Sequence, residues 1–149
     1  MSDTNDIATV RDAAIACARA AEEKKAKDIM IQEVHELIGV TDYFVIVSAS
    51  NPRQVDAIIG EIEDVLREDF GMKPENRELS NDGSWSLLDY GCIVVHVFQQ
   101  DTREYYRLES LWNEAPIIDL SKEDGFEDLE YSERIAEIIE KAKKSDSGK

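Results

Sequence analysis

Two histidines, His35 and His96, and two cysteines, Cys17 and Cys92, are the chain's whole supply of imidazole and thiolate metal ligands. Neither histidine stands in an H-E-x-x-H pair or a Cys/His cluster, and the cysteines match no metal or redox spacing. His96 lies among valines, where a hydrogen-bonded structural histidine is expected; His35 reads as surface. The cysteines read as two small buried hydrophobes. Nucleophilic chemistry has no better footing. Ser48, Ser50, Ser80, Ser84 and Ser86 are not enclosed by a G-x-S-x-G elbow. The glycines form neither G-x-x-x-x-G-K-[ST] nor G-x-G-x-x-G, so no phosphate cradle is expected. Asp42 and Asp89 flank apolar runs, a common place for catalytic carboxylates, but carboxylates there more often cap turns. The residues therefore give no reason to expect an enzyme, a metal or a cofactor.

The informative side chains are aromatic. Trp85, Tyr90, Tyr105, Tyr106 and Trp112 fall close together in sequence, and aromatic rings with polar tips are enriched at protein interfaces. Core packing accounts for some of them. Trp85, on a short strand after a Gly-Ser turn, is open to either reading. In an ideal strand Trp85, Leu87 and Asp89 point one way while Ser86, Leu88 and Tyr90 point the other. The sequence does not choose which set meets a partner.

Charge narrows the partner. The 149 residues carry 17 basic and 33 acidic side chains, a net −16. A protein that neutralises phosphates needs a clustered Lys/Arg surface, so direct nucleic-acid readout is not expected, and neither is an anionic membrane. Opposite charge would steer this chain to a basic protein. No run approaches the ~18 apolar residues of a membrane span. The start, MSDTNDIATV, lacks the basic, apolar pattern of a secretory leader, and the two cysteines suit a reducing compartment; a cytoplasmic protein is expected.

The elements that must position these residues are legible. Ile7, Val10, Ala14, Cys17, Ala18 and Ala21 recur at helical spacing. Thr9 and Asp12 have capping-box spacing, with Thr4 or Asn5 as an earlier start. Asp28–Val34 reads as a strand. Tyr43–Val47, apolar on both faces, reads as a central strand. Asn51 and Pro52 read as N-cap and first residue of a helix with a Val55, Ile58, Ile59, Ile62, Val65, Leu66, Phe70 stripe, stopped by Gly71. The strand–helix–strand order requires some parallel pairing. Lys73–Leu79 suits an edge strand, since Pro74 cannot donate to a ladder. Trp85–Asp89 and Ile93–Phe98, joined by Tyr90-Gly91, read as a hairpin. Asp101 and Glu104 open a helix through Leu108, Leu111 and Trp112. From Asp119 the chain turns acid-rich, with Ile135, Ile138, Ile139 and Ala142 at helical spacing. The expectation is an α/β domain over residues 1–118 that folds by itself, and a loosely tied, partly helical extension over 119–149.

Five segments, in order, resemble the ribosomal silencing factor family, also called Iojap-like proteins. They are Thr41-Asp42-Tyr43-Phe44-Val45-Ile46; Arg53-Gln54-Val55; Trp85-x-Leu-Leu-Asp89-Tyr90-Gly91; Val94-Val95-His96-Val97-Phe98; and Arg103-x-Tyr105-Tyr106-x-Leu108-Glu109-x-Leu111-Trp112. The similarity spans about Ile7 to Pro116. It implies a mixed five-stranded sheet flanked by helices, nucleotidyltransferase-like without the catalytic motif. It also implies binding to the large ribosomal subunit, at the protein numbered fourteen on its intersubunit face, and a steric block to small-subunit joining, notably in starvation. The partner-binding residues expected on this basis are Trp85, Leu87, Leu88, Asp89, Tyr90, Arg103 and Tyr106. A large-subunit assembly role without anti-joining activity is the alternative. An active nucleotidyltransferase is less favoured, because Tyr43–Val47 carries no Asp-x-Asp. A homodimer through an exposed edge strand is open.

Overall fold

The computed structural model describes residues 7–35, 39 and 41–147. In chain order it contains α1 (Ile7–Glu23), β1 (Lys27–Glu33), β2 (Tyr43–Ala49), α2 (Pro52–Phe70), β3 (Asn76–Leu79), β4 (Trp85–Asp89), β5 (Ile93–Gln99), α3 (Gln100–Tyr106), α4 (Leu108–Leu111), a 3₁₀ turn (Leu120–Lys122) and α5 (Glu133–Ser147). The five strands form one sheet in the order β1-β2-β5-β4-β3. The parallel pair is β2–β5, in register from Tyr43↔Ile93 to Ala49↔Gln99. All other pairings are antiparallel. The fold is the mixed α/β sheet expected, with β5 as the parallel neighbour of β2.

α2 shows how local chemistry sets an element. Asn51 Oδ1 accepts the Gln54 N–H at 2.8 Å, and Pro52 takes the first helical position, where an N–H would have no partner. Val55, Ile58, Ile59, Ile62 and Leu66 are buried along one face. Gly71 ends the helix at φ 66°, a region that a side chain would strain, and its N–H returns to the Arg67 carbonyl while that of Met72 returns to Leu66.

Strand alternation then divides the core in two. Tyr43, Val45, Val47, Ile93, Val95, Val97 and Leu88 point to the face covered by α1 and α2. Phe44, Ile46, Phe98, Met30 and Trp85 point to the opposite face. β2 is buried throughout, as a central strand should be.

Two capping-box readings are not met. α1 already runs at Ile7, so Thr9 lies within it; Thr4 and Asn5 fall outside the described residues. α3 starts at Gln100 with Gln99 as a cap lacking a side-chain bond. Glu104 does not reach back to that end but pairs with Arg107 and Arg134. The expected single helix also breaks at Arg107, whose φ of 51° ends α3 and begins α4.

The largest difference lies after residue 118. Pro116–Ile118 runs beside β1, where Glu33 N–H donates to the Pro116 carbonyl at 2.8 Å and Ile118 N–H to that of Ile31 at 3.1 Å. Asp28, held at φ 51°, donates its N–H to the Glu130 carbonyl and accepts the Ser132 N–H on its carboxylate at 2.7 Å. Tyr131 Oη donates to the Ile29 carbonyl at 2.7 Å. Leu120, Phe126, Ile135, Ile139 and Ala142 are buried. The segment is thus an integral part of the packing and not loosely tied. The sequence missed this because its anchors are backbone groups and a carboxylate more than a hundred residues away.

Candidate partner-binding face

Beyond α5 and the α3–α4 unit, part of the second sheet face stays open to solvent. Trp85 sits half-buried on it, on β4, opposite Phe98 of β5. Its ring lies 4.7 Å from Phe98 and 5.0 Å from Tyr106, centroid to centroid. Its indole Nε1–H donates to His96 Nδ1 at 3.2 Å, and its backbone N–H to Ser80 Oγ. Leu87, opposite His96, and Asp89, opposite Val94, share that side and are half-buried. Tyr106 is 52% exposed; beside it Tyr105 is 80% and, on α4, Leu111 is 69% exposed. Large apolar groups gathered this way on a surface mark a site of association.

Of the expected partner residues, Trp85, Leu87, Asp89 and Tyr106 meet on this open face. Leu88, Tyr90 and Arg103 do not. Leu88 and Tyr90 alternate onto the other side of the sheet and are buried in the core under α1 and α2. Arg103 turns inward from α3. Its Nε donates to Glu109 Oε1 at 3.2 Å and its Nη1 to Ser48 Oγ at 3.0 Å and to the Asp28 carbonyl. Burial leaves these three no side-chain surface to offer. Tyr105, one of the aromatic cluster, and Leu111 are exposed residues outside the expected partner set.

The face is acidic at its margins. Asp82, in the turn before β4, is held below the usual carboxylate range by the Ser84 backbone N–H and the Ser84 and Ser80 hydroxyls. Asp101 and Glu104 stand on α3, and Glu114 follows α4. Of the nearby cations, Arg107 and Arg134 both pair with Glu104.

The other polar residues have local tasks. Asp89 Oδ1 accepts the Gly91 N–H at 2.8 Å and so caps the β4–β5 turn. Asp42 pairs with His35 at 2.8 Å near the surface. Burial first, then neighbouring Cys92, raises the Cys17 thiol well above its ordinary value; burial likewise raises Cys92. Among the described residues no group of three or more His, Cys, Asp and Glu side chains is arranged to hold a metal ion. Nor is any of their helices long and apolar enough to cross a membrane.

His96 is buried at the base of the face, and burial, then the Arg103 charge, pull it from 6.5 to about 4. The unfolded chain thus takes up a proton near pH 6.5 that the folded chain refuses until about pH 4. Stability is complete above the unfolded value and falls as pH drops through this window, by about 3 kcal/mol. Urea unfolding at stepped pH checks this: His96→Leu should lose less stability than the parent between pH 7 and about pH 4, by roughly that amount.

The profile of the family described as "Ribosomal silencing factor during starvation" matches residues 7–147. The chain belongs to this family. The match extends well past Pro116, so the 119–147 segment lies inside the family's span, contrary to the limit read from the motifs. "Ribosomal silencing factor RsfS" of Bacillus subtilis (strain 168) is 41% identical over 103 residues, covering 69% of this chain and 86% of that one. The mouse (Mus musculus) "Mitochondrial assembly of ribosomal large subunit protein 1" is 32% identical over 95 residues, covering 60% of this chain and 40% of its own. A crystal structure from Chromobacterium violaceum superposes with a TM-score of 0.67 at 26% identity, over 79% of this silencing factor-like chain and 98% of that one.

Proposed function

We propose that this protein is a cytoplasmic translational repressor. It binds the large ribosomal subunit, at the protein numbered fourteen on the intersubunit face, and keeps the small subunit from joining when nutrients are limiting. The observation that carries the reading is the open face around Trp85: a large ring braced on three sides, apolar neighbours in Leu87 and Tyr106, and acidic margins. A rigid aromatic within an apolar patch is what anchors protein interfaces. Acidic margins favour a basic protein surface. The family description and the names of the relatives from B. subtilis and mouse support a ribosomal setting.

The mechanism needs no bond making. Factor and small subunit compete for overlapping space on the large subunit, and occupancy follows mass action. An interface of roughly 1,200–1,600 Å² in total suffices for a specific complex.

Trp85→Ala should weaken binding to purified large subunits by at least ~2 kcal/mol, about thirtyfold. Leu87→Asp, which keeps the Trp85 ring in place, should weaken it as well. Binding of both variants at parental strength, with parental melting, would remove the face from the site. In sedimentation, the parent should lower the fraction of joined ribosomes. The mouse relative's name favours one other reading, large-subunit assembly without anti-joining activity; that reading requires binding with no change in joining.

A further inference from the structure

We propose that His96 is a positioning residue of the partner face: its Nδ1 accepts the Trp85 indole N–H and sets the orientation in which the ring meets the partner. This inference rests on the reading of the Trp85 face as the docking surface.

Geometry supplies the first support. The Nε1···Nδ1 distance is 3.2 Å, and the bond joins neighbouring strands across β4 and β5. The imidazole is itself fixed. Its ring meets Phe44 edge-on at 4.9 Å and lies nearly parallel to Phe98 at 6.2 Å. Phe98 and Tyr106 grip the indole from its sides but cannot choose its rotation within the stack. A ring with one polar edge, held by apolar neighbours, has its orientation decided by its hydrogen bond.

The second support is a group that packing alone does not explain. A neutral imidazole whose Nδ1 accepts must carry its proton on Nε2. Nε2 is buried and has no protein partner. An unpaired buried donor costs stability, and an aliphatic side chain at position 96 would remove that cost. The buried imidazole thus serves Trp85 while working against the fold around it. Local destabilisation of this kind is typical of residues kept for function. Burial and Arg103 together keep the ring neutral, so the Nδ1 lone pair stays available at physiological pH.

The test uses the full chain and purified large ribosomal subunits. His96→Leu removes the acceptor, and His96→Asn replaces it with a carbonyl oxygen near the Nδ1 position. Trp85→Phe removes the donor from the other side. His96→Leu should melt at or above the parental temperature yet bind about tenfold more weakly, with a shifted Trp85 emission spectrum in a Trp112→Phe background. His96→Asn should recover binding to within about threefold of the parent. His96→Leu combined with Trp85→Phe should bind no worse than Trp85→Phe alone, because the two substitutions delete one bond. Equal loss in His96→Leu and His96→Asn, or parental binding by His96→Leu, overturns the inference. If Trp85→Ala loses binding while His96→Leu keeps it, only the positioning role falls. If Trp85→Ala also binds like the parent, the docking face falls with it.

Discussion

Replacing Glu109 with alanine is expected to lower folding stability by about 3–5 kcal/mol, a large share of the ~5–15 kcal/mol that holds an ordinary domain together. Glu109 is fully buried and bridges two arginines, Arg103 Nε at 3.2 Å through Oε1 and Arg134 Nη2 at 2.6 Å through Oε2. Arg103 is itself buried, and burial already pulls its guanidinium below its ordinary value against the opposing influence of Glu109 and Asp28. Without Glu109 that charge stays in the interior with Ser48 Oγ and the Asp28 carbonyl as its hydrogen-bond acceptors and the Asp28 carboxylate as its remaining buried counter-charge, while its Nη2 already lacks a partner. The loss reflects a buried charge left with too little compensation and not the net worth of the pair. Accordingly, Arg103→Met combined with Glu109→Leu should recover most of the stability, since Arg134 can keep its contact with Glu104 at the surface. Urea melts of the single and double variants decide it: a Glu109→Ala loss below about 1 kcal/mol would mean the charge is solvated.

This cluster shows why part of the site was hidden in the sequence. Arg103 and Glu109 lie six residues apart in a segment that reads as one amphipathic helix with a charged outer side. The turn at Arg107 breaks that helix with a positive φ at a residue that is neither Gly nor Asn, so no local signal announces it. Once the helix breaks, Glu109 folds back onto Arg103, and Leu111 stands exposed. By contrast, α2 was legible to the residue, because Asn51, Pro52 and Gly71 each answer a local backbone demand. The β4–β5 hairpin was equally plain. Which way Trp85 points was not, because period-two alternation groups Trp85 with Leu87 and Asp89 but is silent on which layer covers them. Only the placement of α1 and α2 on one face decides that Leu88 and Tyr90 are core.

Ending the chain at residue 118 is expected to abolish the cooperative melt or lower its midpoint by about 15 °C or more. The truncation removes Leu120 and Phe126 from the layer beneath α1, and Ile135 and Ile139 from the opposite layer, so both cores open. It uncovers Met30 and Ile46 on the second face. It takes Arg134 from the buried Glu109 and the Ser132 N–H from the buried Asp28 carboxylate, adding polar loss to apolar loss. It also strips the Tyr131 and Glu130 contacts from the β1 backbone, where Asp28 is held in a left-handed conformation that relaxes once its partners are gone. The second face would then expose apolar surface next to the partner site, so the shortened chain should also self-associate. Calorimetry and light scattering on residues 1–118 check both outcomes. A monomeric, cooperative melt within about 5 °C of the full chain would show that the domain is complete at 118 and that α5 is an accessory. A chain ending at residue 144, which leaves Ala142 and every anchor named above in place, should melt like the parent and so marks where the structural requirement stops.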